Sequence, residues 1–579
     1  MSSYSELTAN PVGYLIFTLH THLPFVMNHG RWPHGSDWLC EVALECYLPL
    51  LRALRRLEAE GCPAGVTLNL SPILCEQLAS TAFRDEMAAF FRQRLEACEE
   101  ARRHFLGTGE EHLAALCDFW HRTYQETWRE FEELGGDLLG AFRGLADREV
   151  IELISTAATH AYLPLLSRDE SVDLQIRVAV ASHTRHFGRP PRGLWLPECA
   201  YRPRYEWTPP VGPRSGHVRY RRRGIEEFLA AHRLGYFFTD VHLLRGGRAL
   251  SAYRDYYPRL RAVVGPDSHF YRRGERSPYV SYRVASRGGT GDAAAFVRDP
   301  ETSLQVWSRD VGYPGDEWYL EFHKRHFPGG LRLWRVTDPR GDLADKLPYQ
   351  PERARERAHV HAEHFAGLVQ GVLARQSAEQ GRPVVLCSLF DTELFGHWWA
   401  EGPQWLEQVF RRLPDEGVAP VPAGAYNERF PPEETTTLFE GSWGEGGDHR
   451  VWLNKDTEWT WEMVYEAEEN LWSFATSTPW SQVPVLRRIV GQLGRELVLL
   501  QASDWQFLIT TWAARNYAET RFAEHYADFQ RLLDMAKQVQ GGGTLAGEDE
   551  EFLLAKEAQD FCFPDIAEHL EAASRLPRL

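Results

Sequence analysis

"YLIFTLH" (14–20) and "GVTLNLS" (65–71) are short apolar runs, and between them lies "EVALECYLPLLRALRRLEAEG" (41–61). The outer runs have the length and composition of buried strands. The middle stretch places apolar side chains at Tyr47, Leu50, Leu51, Leu54 and Leu57, which is helical spacing, and stops at Gly61. Strand, helix, strand is the unit that lays parallel strands side by side. Similar runs recur at "VIELIS" (150–155), "GLWLPE" (193–198), "YFFTD" (236–240) and "VVLCSLFD" (384–391). The fold class is therefore α/β, with a parallel sheet either open or closed into a barrel. After about residue 425 the strand signal fades into long helical patterns.

Several of these runs end in a polar side chain: His20, Glu198, Asp240 and Asp391. In α/β folds the carboxyl ends of parallel strands are where sites assemble. Glu198 and Asp391 stand out, because Trp195 and Tyr201 flank the first and Phe390, Phe395, Trp398 and Trp399 the second. Cleaving an acetal takes two carboxyl groups, one to attack or stabilise the anomeric carbon and one to protonate the departing oxygen. Partial burial beside aromatic rings raises the pKa of the acid that must stay protonated. Each carboxylate could equally form a buried ion pair or cap a helix. "HTHLPF" (20–25) puts His20 and His22 on one side of an extended segment. They could donate hydrogen bonds to substrate hydroxyls or bind a divalent metal, although no third ligand is evident nearby. Tryptophans beside polar or glycine-rich turns, at Trp32, Trp307, Trp443, Trp452 and Trp505, suit sugar rings, which offer an apolar face and a hydroxyl rim.

The chain has 579 residues and a formal net charge of −17, which disfavours nucleic acid and anionic membranes as partners. The nine cysteines include no CxxC pair and read as reduced thiols in a cytoplasmic protein. The N-terminus lacks the apolar core of a signal peptide, and no segment approaches the ~18 unbroken apolar residues of a membrane span. A phosphate-binding GxxxxGK[ST], a zinc-binding HExxH and a GxSxG elbow are all missing. The arginine-rich "RYRRRG" (219–224) reads as an ion-paired surface.

Six stretches then resemble, in order, the motifs of glycoside hydrolase family 57, and within it the 1,4-α-glucan branching enzymes. They are "HTHLPF", "WLPECAYRP" (195–203), "LQVWSRDVGYPGD" (304–316), "FDTELFGHWWAEGP" (390–403), "GSWGEGGDHRVWLN" (441–454) and "SDWQFLI" (503–509). The resemblance implies an incomplete (β/α)7 barrel with a small inserted subdomain and a C-terminal α-helical domain. On that plan the barrel occupies 1–200 and 235–424, with a mobile loop at 245–292. The insert is 201–234, and the helical domain is 425–579. It implies a retaining mechanism without metal or cofactor, with Glu198 as nucleophile and Asp391 as general acid/base. His20, His22, His160, Trp32, Trp307, Trp443, Trp452, Asp504 and Trp505 match substrate-binding positions, and Tyr253 matches a loop tyrosine linked to transfer over hydrolysis. The implied partner is an α-1,4-glucan such as amylose or a glycogen-like polysaccharide, and a monomer is favoured. An α-amylase or 4-α-glucanotransferase of the same family is the alternative. A metal-dependent polysaccharide deacetylase or mannosidase using His20 and His22, and a non-catalytic glucan-binding protein, stand behind it. Thr392 follows Asp391 where the family has a small residue, and the segments 202–224 and 254–292 are longer or richer in arginine than the family pattern.

Overall fold

A computed structural model describes residues 11–62, 64–212, 219–246, 276–286, 292–308, 311–545 and 547–579. Its strands are β1 (Gly13–Thr21), β2 (Val66–Leu70), β3 (Ile151–Ile154), β4 (Gly193–Leu194), β5 (Tyr205–Trp207), β6 (Tyr220–Arg222), β7 (Tyr236–Thr239), β8 (Tyr282–Val284), β9 (Ala294–Val297), β10 (Val385–Asp391), β11 (Val418–Pro420) and β12 (Glu434–Thr436). β1 is buried along its whole length, as a strand covered on both faces must be. It pairs in parallel with β10 on one side and β2 on the other, and β2 pairs with β3. β11 adds to the start of β1. A second sheet runs β12-β8-β9-β7-β4, in which β4, β7 and β9 are mutually parallel and β8 is antiparallel to β9.

Single parallel bridges, Ser155 to Leu194 and Arg298 to Cys387, connect the two sheets at both seams. Among the described residues neither seam carries a ladder, so the sheets are not one continuously hydrogen-bonded cylinder. The short β4 has a local cause. The expected strand 193–198 ends after Leu194 because Pro197 lacks an N–H and Glu198 turns left-handed at φ 59° and ψ 23°. β9 went unread because its sequence, "AAFV", is alanine-rich and follows a glycine-rich stretch.

The helix expected over 41–61 runs from Ser36 to Ala59, with a π-turn at Ala43–Tyr47 inside it. β5 and β6 form an antiparallel hairpin in the 201–234 segment, and the basic run is ion-paired there: Arg222 meets Asp169, and Arg219 meets Glu206. On the helix Pro351–Gln380, His361 and His364 bond the hydroxyls of Tyr319 and Tyr313 at 2.8 and 2.7 Å. The C-terminal part is helical: Glu458–Ser477, Pro484–Leu500, Asp504–Thr511, Arg515–Gln540, Gly547–Gln559 and Ile566–Ala573. It grips the loop after β1, since Arg521 donates to the Phe25 carbonyl at 2.9 Å and His29 bonds Asp560 at 2.7 Å. All nine cysteines are free thiols, and among the described residues no helix is long and apolar enough to cross a membrane.

Candidate active site

The register of β1 against β10 sets His20 beside Asp391, so both leave the sheet at the same level. Glu198 reaches the site from the end of β4. Its left-handed backbone, followed by Cys199 at φ 47°, is a conformation that non-glycine residues adopt at a cost of about 1–3 kcal/mol. The turn is held because the Trp443 N–H donates to the Glu198 carbonyl at 3.0 Å. The side chain is fixed at both oxygens. Trp443 Nε1 donates to Oε2 at 2.7 Å, and the Ser503 hydroxyl approaches Oε1 at 3.4 Å.

Burial pushes the Glu198 carboxyl up to about 8, with the neighbouring charges of Asp391 and Asp504 adding to the rise. The Trp443 and Ser503 hydrogen bonds oppose it, because both stabilise the anion. The charge of Asp391 thus reaches the Glu198 carboxyl. Replacing Trp443 by Phe removes a donor that favours ionised Glu198. The expected result is an acidic limb of the kcat/KM profile displaced to higher pH by about one unit, the size of one charge-assisted hydrogen bond. A profile unmoved in Trp443→Phe would show that this bond does not set the ionisation of Glu198.

Beside the carboxylates, four rings stack in a row. Trp195 lies 4.7 Å from His20 at an interplanar angle of 7°; His20 lies 4.7 Å from His160, and His160 lies 4.3 Å from His22. His20 Nδ1 bonds Asn69 Oδ1 at 2.6 Å, His22 bonds Ser71 at 2.9 Å and Asp504 at 3.0 Å, and His160 Nδ1 bonds Ser503 at 2.9 Å. Desolvation holds His20 and His160 well below the usual imidazole range, so both are neutral near pH 7. Among the described residues their Nε2 atoms are buried without a hydrogen-bond partner. His22, His160 and Asp504 also offer ligand atoms within 4.8 Å of one another, so this triad has the spacing of a metal site.

The structure thus brings Glu198, Asp391, His20, His22, His160, Trp443 and Asp504 together. Trp452 stacks on Tyr162 at 4.5 Å and Trp307 packs beside Phe390; both are nearly fully buried, which corrects the expectation that their rings contact substrate directly. Trp32 is 76% exposed, on the loop after β1. Trp505 corrects the expectation of a cleft residue. It is fully buried with its N–H on the Leu499 carbonyl at 2.8 Å, because Asp504, one residue earlier, turns toward His22 and sends Trp505 into the helical core. Tyr253 and most of the 245–292 loop lie outside the described residues.

Sequence reasoning missed the residues that aim the site. Ser503 links His160 to Glu198, and Asn69 and Ser71 orient the two strand-end histidines. A lone asparagine inside the apolar "GVTLNLS" was the available signal for Asn69. Arg298 pairs with Asp240 and lies 5.3 Å from the Trp443 ring, supporting that indole from behind.

Comparison with known proteins matches residues 16–438 to the model of glycosyl hydrolase family 57, and residues 463–570 to that of the 1,4-alpha-glucan branching enzyme C-terminal region. A 1,4-alpha-glucan branching enzyme of Thermococcus kodakarensis is 39% identical over 523 residues, covering 90% of this chain and 73% of the relative. A crystal structure of that family 57 branching enzyme, in complex with glucose and additives, superposes with a TM-score of 0.86 at 37% identity, over 96% of each chain. The crystal structure of a family 57-type branching enzyme from Pyrococcus horikoshii gives 0.85 at 37% identity, over 96% of this chain and 97% of that one. The alpha-amylase AmyC of Thermotoga maritima gives 0.77 at 26% identity, over 96% and 99%.

Proposed function

The chain belongs to glycosyl hydrolase family 57, and from that premise we infer that it is a 1,4-α-glucan branching enzyme, which cuts an α-1,4-glucan and joins the freed segment to a 6-hydroxyl. One observation carries the chemistry: a strained, buried glutamate held between an indole N–H and a serine hydroxyl, electrostatically coupled to an aspartate at the end of β10.

Asp391 gives its proton to the glycosidic oxygen as Glu198 attacks the anomeric carbon. The C1–O4 bond breaks, the leaving chain departs with the proton, and a glycosyl-enzyme forms on Glu198. Asp391 then takes the proton of the incoming 6-hydroxyl, whose oxygen displaces Glu198. Two inversions restore the α configuration, which makes the mechanism retaining. The Trp443 and Ser503 donors stabilise the anionic form of Glu198 that attacks, against the burial that pushes its carboxyl up. The unpartnered Nε2 atoms of His20 and His160 accept sugar hydroxyls, which removes the cost of about 1–3 kcal/mol for leaving a buried polar atom unbonded. His22 donates to Asp504 and keeps the histidine stack in register.

Around this centre the strands serve as an incomplete (β/α)7 barrel, a reading supported by the bridges at both seams. The 201–234 hairpin segment is the insert, and the helices from 425 onward form the third unit. Tyr253 on the 245–292 loop, with Trp32, shields the glycosyl-enzyme from water, the competing acceptor. Trp307 and Trp452 back the cleft walls, and the product is a glycogen-type glucan made by a monomer in the cytoplasm.

Linkage analysis of amylose incubated with the protein tests the reading. New α-1,6 linkages, undiminished by EDTA, are the expected result. Shortened or cyclised linear chains alone would make it an amylase or 4-α-glucanotransferase. Loss of activity in EDTA would assign His22, His160 and Asp504 to a metal, and an unaltered chain-length profile would leave a glucan-binding protein.

A further inference from the structure

Within the helix Ser36–Ala59 the Leu48 N–H bonds back five residues to the Ala43 carbonyl. Pro49 gives a reason. It has no N–H to offer the Glu45 carbonyl four residues before it, and its ring would collide with that carbonyl in a regular helix. Consecutive side chains of an α-helix fan out by about 100° each. Yet Glu45, Cys46 and Tyr47 all engage one segment, Thr392–His397, the residues directly after Asp391.

The contacts are specific. The Cys46 thiol donates to the Thr392 carbonyl at 3.0 Å, and the Tyr47 hydroxyl donates to Glu393 Oε1 at 2.8 Å. Glu45 accepts from His397 Nδ1 at 2.7 Å and pairs with Arg332 at 2.7 Å, and Arg332 in turn donates to the His397 carbonyl at 2.8 Å. At Gly396, φ 116°, the segment meets the helix backbone so closely that a Cβ would stand 2.0 Å from the Glu45 oxygen. From the opposite side the Thr21 hydroxyl bonds that of Thr392 at 2.6 Å, and the His22 N–H donates to the same Glu393 oxygen at 3.2 Å. Glu393 thus ties the π-turn to the strand-end loop of β1, with Asp391 two residues away.

We propose that the π-turn is a positioning device for the general acid/base segment, and that Tyr47, acting through Glu393, is the positioning residue that fixes the aim of Asp391. The proposal rests on the branching reading given above. π-Turns inside α-helices recur at functional sites because they displace side chains from the regular helical spacing. Glu393 Oε1 accepts from both the Tyr47 hydroxyl and the His22 N–H, so its role is that of a hydrogen-bond acceptor of fixed position.

The test measures kcat and KM for amylose branching, and the pH profile of kcat/KM, in the full-length wild type, Tyr47→Phe, Glu393→Ala and Glu393→Gln. Misplacing a reacting group by about 1 Å costs up to ~10²-fold. Tyr47→Phe and Glu393→Ala are therefore expected to lose about tenfold or more in kcat, with KM within twofold and a displaced basic limb. Glu393→Gln, which keeps the acceptor oxygen, is expected to recover most of the Glu393→Ala loss. The proposal is overturned if Tyr47→Phe and Glu393→Ala keep kcat within twofold. It is overturned equally if their losses come with a matching rise in KM and no change in the pH profile, or if Glu393→Gln is no better than Glu393→Ala. Should the wild type form no α-1,6 linkages in the same assay, the branching reading itself fails.

Discussion

Glu198→Gln is expected to abolish branching, by at least ~10³-fold in kcat/KM, while raising the melting temperature of the protein at neutral pH. The two halves of this result have one cause. Burial and the charges of Asp391 and Asp504 push the Glu198 carboxyl from 4.5 up to about 8. A carboxyl with a raised folded-state pKa costs no stability below pH 4.5, where both states are protonated. Between 4.5 and 8 the unfolded chain ionises and the folded one does not, so wild-type stability falls as pH rises through that window. Gln keeps the shape and an acceptor oxygen for the Trp443 indole, but cannot ionise. Its advantage should therefore grow from pH 4.5 toward 8 and vanish below 4.5. Thermal unfolding of both proteins from pH 4 to pH 8, beside a linkage assay, measures this. A folded variant with near-normal branching would remove Glu198 from the mechanism. An equal melting temperature across the range would show that the site does not strain to hold this carboxylate.

How much of this was legible beforehand follows from what periodicity encodes. The strands that carry His20 and Asp391 are legible as apolar runs broken by a polar residue, whereas the run toward Glu198 is strand only at Gly193–Leu194 before it turns. The helix at 41–61 was readable from its apolar spacing, but the π-turn within it was not, since widening a turn by one residue leaves the apolar pattern almost unchanged and only Pro49 hints at it. β9 was missed because alanine carries little strand preference, and burial on both faces decided the outcome. In the candidate site, the two carboxylates and the histidines are visible as residue types at the ends of apolar runs. Their supports are not, because Ser503, Asn69 and Glu393 act through contacts between segments hundreds of residues apart or across neighbouring strands. Trp505 shows the converse error: adjacency to Asp504 suggested a cleft residue, but successive helical side chains point in different directions, and this one points into the core.

The roles of the two carboxyls, as distinct from their importance, are separated by azide. With α-maltotriosyl fluoride as donor, the leaving group needs no proton, so Asp391→Ala should still form the glycosyl-enzyme on Glu198. The second step then stalls, because no base takes the proton of the 6-hydroxyl, a loss of about 10²–10⁴-fold. Azide carries its own charge and needs no base. Entering from the side the acceptor uses, it forms a C–N bond as the ester to Glu198 breaks, and the product is the α-glycosyl azide. In Glu198→Gly the carboxylate is gone and azide occupies its place, displacing fluoride from the opposite face to give the β-glycosyl azide. Chromatography and coupling constants of the anomeric proton tell the two products apart. The β-azide from Asp391→Ala and the α-azide from Glu198→Gly would exchange the two roles, and accumulation of a covalent glycosyl adduct on Glu198 in the Asp391→Ala protein would fix them as drawn here.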